Sequence, residues 1–347
     1  MKKSILLCCM VLVACTSFEG QEAFDRSGLL RNIQDNLLLP QYQQTKLAFL
    51  ELQKSTQDFS ALPSGGNYLA LQDKWKHAFL EWKQAEVYNF GPIDQLGWTT
   101  SFDNWPTNSN AIELLLQTYD GSPGFVEGLG SNKKGLPAME YLIFQPGAFE
   151  LLQEENRRVL LVAYSNDLVD KIELVLQAWS KHGSFVKRID NAADASMTLL
   201  ANELVFLAEV LKNEKLGVPM GVLHNKAIAP QLVEVPYASM SLSGLSGNVT
   251  AMKNVFTGQN GLGLDDYLDA LHVKDANGLL SEKIIIKMES ILSLLKGMGP
   301  SLQTALISDY TTLELLYEEI NQLLVLLKTD MMSQLGLLVV FNDNDGD

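Results

Sequence analysis

The sequence predicts an all-α protein built from packed amphipathic helices. Three observations carry that reading. Apolar residues recur at steps of three and four along most of the 347-residue chain. Short connections marked by Gly and Pro separate these stripes. No convincing run of strand-like alternation and no internal repeat occurs. Helices with one apolar stripe and short links pack antiparallel, because each must bury that stripe on a neighbour.

Residues 1–14 read as an export signal. Lys2 and Lys3 supply charge, and the apolar core from 5 to 13 is too short to span a bilayer. Leu12-Val13-Ala14-Cys15 reads as a bacterial lipobox, with cleavage before Cys15 and lipid on its thiol. An ordinary secretory signal with an incidental cysteine is the alternative. Thr16 replaces the aspartate of an inner-membrane retention cue, so the expected address is the outer membrane, facing the periplasm or the cell surface. Residues 15–24 form the lipidated tether. Cys8 and Cys9 leave with the signal, so no internal disulfide forms and a core must hold the fold.

Helices follow at 25–38 and 41–62, with a break near Leu39-Pro40; Pro63-Ser64-Gly65-Gly66 closes the second. Residues 68–88 form a strong helix. Trp75, Phe79, Trp82 and Glu86 fall at steps of four, three and four, on one face. The tryptophans read as core. Glu86 is a carboxylate on an apolar face, which needs a partner or a function unless the helix end frays into water. Asp103 either lines a pocket or caps a turn before a helix at 108–118. A long helix covers 153–182, with Val162, Val169, Ile172, Leu176 and Trp179 on one stripe. It ends at Lys181-His182-Gly183, and the junction between two domains, 25–185 and 186–347, is placed here. Residues 191–213 carry Met197, Leu200, Leu204, Leu207 and Leu211. Ile284, Met288, Ile291, Leu295 and Met298, then Leu313, Leu316, Ile320, Leu323 and Leu327, repeat the spacing.

The formal charge of −15 becomes −17 once the signal's two lysines are gone. That argues against nucleic acid or anionic lipid as partner and suits cations, although acidic surfaces are commonly just solvated. Outside the signal no apolar run reaches the roughly 18 residues of a membrane span. The nearest, 323–341, is interrupted by Lys328, Asp330 and Gln334. The lipid on Cys15 is the expected membrane attachment. Phe341-Asn342-Asp343-Asn344-Asp345-Gly346-Asp347 evokes a calcium loop but stops before any distal Glu, so a polar tail is the competing reading.

The stretch from Gly135 to Phe144 organises the rest. Pro137 suits a first helical residue, and Glu140 then falls near the positive end of a short helix. This stretch resembles the imelysin-like signature GxHxxE: Gly135 and Glu140 match its ends, and Pro137 stands where the pattern has His. Further blocks are similar to that family: Trp75, Trp82, Glu86 and Phe90-Gly91-Pro92; Ser101-Phe102-Asp103-Asn104-Trp105-Pro106; 202–204; 215–221; and Glu234 to Ser241. The resemblance implies two helical-bundle halves with a candidate site in a cleft between them. It also implies links to iron uptake and a metallopeptidase label.

Composition and spacing do not support hydrolysis. A zinc hydrolase needs about three protein ligands and a base. The chain's four histidines, His77, His182, His224 and His272, are scattered, HExxH and G-x-S-x-G are absent, and proline offers no side-chain ligand. Glu86, Asp103, Glu140 and Glu234 are candidate oxygen ligands for iron or another divalent or trivalent cation, Glu140 foremost. Gly135, Pro137, Ser239 and Ser241 complete the candidate binding site; N-capping is the alternative role for the two serines. The expectation is a binding lipoprotein with a degenerate site that serves metal or iron acquisition. The alternatives are a metallopeptidase and a scaffold that holds a peptide, a small molecule or nothing.

Overall fold

The computed structural model describes residues 24–119, 121–122, 124–181, 193–223, 227–299 and 301–340. The expected signal, Cys15, nearly all of the expected tether, His182, His224, the expected domain junction and the acidic tail lie outside them.

The described chain is helical almost throughout. Helix α1 (Arg26–Asn32) runs through a widened π-type turn (Ile33–Leu38) into α2 (Leu39–Ala61). The break expected at Leu39-Pro40 does not occur. Proline lacks the N–H and collides with the carbonyl four residues back. For Pro40 that carbonyl is Asn36, and the wide turn moves it aside without ending the helix. Ser64 caps α3 (Gly65–Ala85) by accepting from the Asn67 N–H, and one 3₁₀ turn (Glu86–Tyr88) follows. Asn108, not Asp103, caps α4 (Ser109–Thr118). Helix α5 (Gly135–Phe144) starts two residues before Pro137, and α6 (Glu155–Lys181) closes the first half.

The second half opens with α7 (Ala193–Val210), another widened turn (Leu211–Gly217) and a short turn (Val218–Met220). Pro219 requires that turn as Pro40 requires the first: its displaced carbonyl belongs to Lys215. Then come α8 (Ser241–Thr257), α9 (Leu264–Ala270), a minute hairpin of Lys274–Asp275 with Gly278–Leu279, α10 (Leu280–Gly297), α11 (Leu302–Ser308) and α12 (Tyr310–Val325). The expected stripes are core: Met197, Leu204, Ile284, Ile291, Leu316 and Ile320 are buried, while Val162 and Leu176 are half-buried. None of the described helices is long and apolar enough to cross a membrane.

Helix α2 lies between α3 and α6, and α10 lies between α8 and α12. Helix α3 packs on α8, and this contact joins the two groups of helices. Small residues make the contact close. A Cβ on Gly244 would stand 3.0 Å from the Phe79 ring, and one on Gly247 would stand 3.3 Å from Lys83 Cβ. Each glycine costs a helix about 0.5–1 kcal/mol relative to alanine, which close packing against Phe79 and Lys83 offsets. Trp75, Phe79 and Trp82 are fully buried on this side of α3, and Trp82 stacks on Phe102 at 4.4 Å.

Candidate functional site

The candidate centre forms on that seam. Lys83 follows Phe79 by four residues, so it continues the buried face of α3 and is wholly enclosed. Its ammonium donates to Glu86 Oε1 at 2.6 Å, to Glu234 Oε1 at 2.5 Å and to Asp103 Oδ2. Lys215 Nζ reaches Glu86 Oε2 and Glu234 Oε1, both at 3.2 Å, and Asn248 Oδ1 at 2.8 Å. Asn248, also fully buried, uses its amide N–H groups on the Lys83 carbonyl and on Glu86 Oε2, each at 2.7 Å. Trp105 lies over both ammonium groups, its ring centre 5.4 Å from Lys215 Nζ and 5.9 Å from Lys83 Nζ.

Each member is placed by a local cause. Glu86 sits on the 3₁₀ turn after α3, where the Tyr42 hydroxyl donates to the Tyr88 carbonyl at 2.7 Å. Lys215 sits on the wide turn that Pro219 requires. Asp103 depends on Gly135. A Cβ at Gly135 would lie 2.5 Å from the Phe102 carbonyl oxygen, and its φ of +77° also favours glycine, so the Leu136 N–H can donate to that carbonyl at 2.8 Å. The signature glycine thereby docks the strand of chain that delivers Asp103.

Glu234 depends on Glu140. Glu140 is 2 % exposed, and its Oε1 accepts from the N–H groups of Tyr237 and Ala238, both at 2.7 Å. Ser241 Oγ donates to the Glu234 carbonyl, and Gln303 Nε2 donates to the Pro236 carbonyl at 2.5 Å. The loop so held contains two residues in left-handed conformation, Val235 (φ 46°) and Ser239 (φ 56°). For branched Val235 this is a strained state. Met240, not a serine side chain, stands at the N-cap of α8, and Ser239 is exposed.

Among the residues expected at the site, Glu86, Asp103 and Glu234 meet. One oxygen of each lies within 4.8 Å of the others. Glu140 stands one step back, on the loop amides, and Ser241 supports the same loop. Pro137 is buried inside α5. His77 is exposed, and His272 occupies a turn at φ 54°. Sequence reasoning missed Lys83. The signal was present: Trp75, Phe79 and Lys83 step by four, so a lysine lies on the same stripe as the tryptophans.

Charge decides what the centre can do. Burial alone would depress Lys83, but Asp103, Glu234 and Glu86 overcome it and hold the ammonium well above the usual lysine range. Burial opposes ionisation of Glu86, yet Lys215 and Lys83 pull it down to about 2. Asp103 is pushed up to about 7 by burial and by Glu234 and Glu86, against Lys83. Three carboxylates face two ammonium groups, and Asp103 is the acid that takes up a proton near neutrality. Burial also raises Glu140 to about 8, although its two amide donors favour the carboxylate. A trio of carboxylates is a donor set for a hard cation. Here Lys83 already contacts all three, so the set does not fit a metal ion while that side chain is in place.

A cleft of about 610 Å³ opens beside the centre, between residues 86–105 and α7 with its wide turn. Glu86, Asp94, Asp103, Glu203, Glu209 and Glu214 face it, and Lys215 is the only lysine or arginine among the described residues of its lining. At its rim, Asn202 accepts from the Val340 N–H and donates to the Leu338 carbonyl, both at 2.8 Å.

The model of the imelysin (peptidase M75) family matches residues 38–329. The chain belongs to the imelysin family. It is 24 % identical over 276 residues to iron-regulated protein A of Synechococcus elongatus, covering 76 % of this chain and 73 % of that protein. Two solved structures share the fold. One is a putative iron-regulated protein A precursor from Parabacteroides distasonis, with TM-score 0.76, 17 % identity, and 89 % and 94 % of the two chains covered. The other is an imelysin-like protein from Psychrobacter arcticum, with TM-score 0.76, 17 % identity, and 91 % and 97 % covered. The all-helical fold expected from the apolar stripes, and the family expected from the GxHxxE-like stretch and its companion blocks, are those observed.

Proposed function

We propose that this imelysin is a lipid-anchored binding protein of the cell envelope, serving an iron-linked process without acting as a metal-dependent hydrolase. The observation that carries this reading is Lys83, whose ammonium holds together the three carboxylates that would otherwise form a cation site. Pro137 in place of the motif His supports it, because neither a ligand nor a base remains at that position. In this reading Glu140 and Gly135 position the acids. Glu140 fixes the loop that carries Glu234, and Gly135 fixes the segment that carries Asp103. The acidic cleft beside them receives the ligand, and Cys15 tethers the protein to the outer membrane. The iron link rests on kinship with proteins named as iron-regulated.

Metal content provides the test. The lipid-free mature chain is purified without chelator, analysed for bound metals, and titrated with Zn²⁺ and with ferric citrate. The expected result is far less than one ion per chain. Uptake of one ion per chain that disappears in Glu234→Gln would overturn the reading. So would turnover of a peptide library that Glu140→Gln abolishes.

A further inference from the structure

The cleft's own chemistry selects among ligands. We propose that it binds a small linear organic polycation of the aliphatic polyamine class, with ammonium groups seated against Asp103 and Glu203. This inference rests on the reading of the cleft as a ligand site whose metal-like centre is already filled.

Four observations converge. First, the cleft's charge is one-sided. Lys215, the only lysine or arginine among the described residues of its lining, is committed to Glu86, Glu234 and Asn248, and Lys328 outside the lining pairs with Glu209 at 2.6 Å. Second, Asp103 leaves an acceptor idle. It is 8 % exposed, its Oδ2 accepts from Lys83, and its Oδ1 has no partner, as Asn89 Oδ1 has none on the same wall. A buried acceptor left unmade costs roughly 1–3 kcal/mol, so a donor that reaches it recovers that energy. Both idle atoms are acceptors, and an ammonium carries only donors. Third, Glu203 is half-buried in α7 on the opposite wall, without a hydrogen bond or ion pair among the described residues. Burial, together with Asp94 and Glu86, raises its carboxyl to about 8, a strain that an incoming cation relieves. Fourth, Phe90, Trp105 and Phe206 add aromatic side chains to the same lining. Aromatic faces attract alkylammonium groups and cover methylene chains.

A bare metal ion matches this arrangement less well. Among the described residues, the one trio of carboxylates close enough to share an ion encloses Lys83. No second group of three acids among the described residues comes that close together, which suits separated ammonium groups better than one ion. The volume of about 610 Å³ falls in the range of small-molecule sites.

The test uses the lipid-free mature chain with spermidine as probe, in calorimetry and thermal melting at pH 7.5 and about 0.15 M salt, where loose surface attraction is screened. Hexaamminecobalt(III), a compact trication without methylenes, is the comparator. Spermidine is expected to bind one per chain and at least tenfold more tightly than the cobalt complex. Glu203→Gln and Asp94→Asn are each expected to weaken it at least tenfold. Glu314→Gln, an exposed acid on α12, is expected to leave it unchanged. Asp94 is itself exposed, so its variant folds even if Glu203→Gln does not. The proposal is overturned if spermidine does not bind, if the cobalt complex binds as well, or if all three variants behave alike. Absence of both polyamine and metal binding would sink this inference and leave the reading of the centre standing, whereas stoichiometric metal uptake would remove that reading.

Discussion

Replacing Lys83 by Met removes the ammonium and keeps most of the side-chain volume, so a cavity contributes little. Glu86, Asp103 and Glu234 would then face Lys215 alone, at 3.2 Å from the first and third. Removing one partner of a buried ion pair costs about 3–5 kcal/mol, because the other charge stays buried without compensation. Three carboxylates lose a donor here, which places the loss at the upper end, or roughly 10 °C in Tm for a chain of this size. The loss should depend on pH. Without the ammonium, the carboxylates' folded pKa values rise above their unfolded values, so the folded state holds extra protons at acid pH and its stability falls as pH climbs. Lys83→Met should therefore be closer to wild type at pH 5 than at pH 8. A divalent cation should also substitute for the missing charge. At a hundred times its Kd, Mn²⁺ would restore about 2.7 kcal/mol. Thermal melts at both pH values, with and without Mn²⁺, report all three effects. A variant as stable as wild type at pH 8, or a Mn²⁺ gain equal in both proteins, would refute the reasoning.

Other perturbations probe the supports. Asn248→Leu should cost about 3 kcal/mol or more in denaturant unfolding, because it strips partners from the Lys83 carbonyl, Glu86 Oε2 and Lys215 together. Gly135→Ala should destabilise by at least about 2 kcal/mol, since it combines a left-handed backbone with a Cβ 2.5 Å from the Phe102 oxygen; a wild-type melting curve would contradict the docking role. Glu140→Gln isolates a titration. The acid's folded pKa of about 8 exceeds its unfolded value, so its contribution to stability is present below about pH 4.5 and is lost as pH rises to 8. Gln cannot ionise, so the variant should match wild type near pH 5 and exceed it by on the order of 3 kcal/mol at pH 9. A constant difference across that range would exclude the titration.

The helices were readable because a stripe of Leu and Ile at steps of three and four has few other ways to be buried. Glu86 was readable for the same reason, as a charge in phase with Trp75 and Trp82. Its partner Lys83 lay three residues away, but a lysine so near a helix end is ordinarily solvated, and its enclosure depends on the close approach of α8 and on acids distant in sequence. The meeting of Asp103 with Glu234 spans 131 positions of sequence, and no spacing rule reaches that far. Glu140 looked like a ligand because motif carboxylates commonly are. Its observed bonds to the Tyr237 and Ala238 amides depend on a strained loop whose path no periodicity encodes. Pro40 misled for a definite reason: proline usually stops a helix, and a widened turn is the less common remedy.

The central claim is that the Lys83 ammonium occupies the position between Glu86, Asp103 and Glu234. Anomalous diffraction from crystals soaked in Zn²⁺ or Mn²⁺ at pH 8 addresses it directly. Wild-type crystals should show Lys83 Nζ among the three carboxylates and no metal peak there, and Lys83→Met crystals should show an ion in that place. A metal peak among the three acids of the wild-type protein, with Lys83 turned away, would contradict the account.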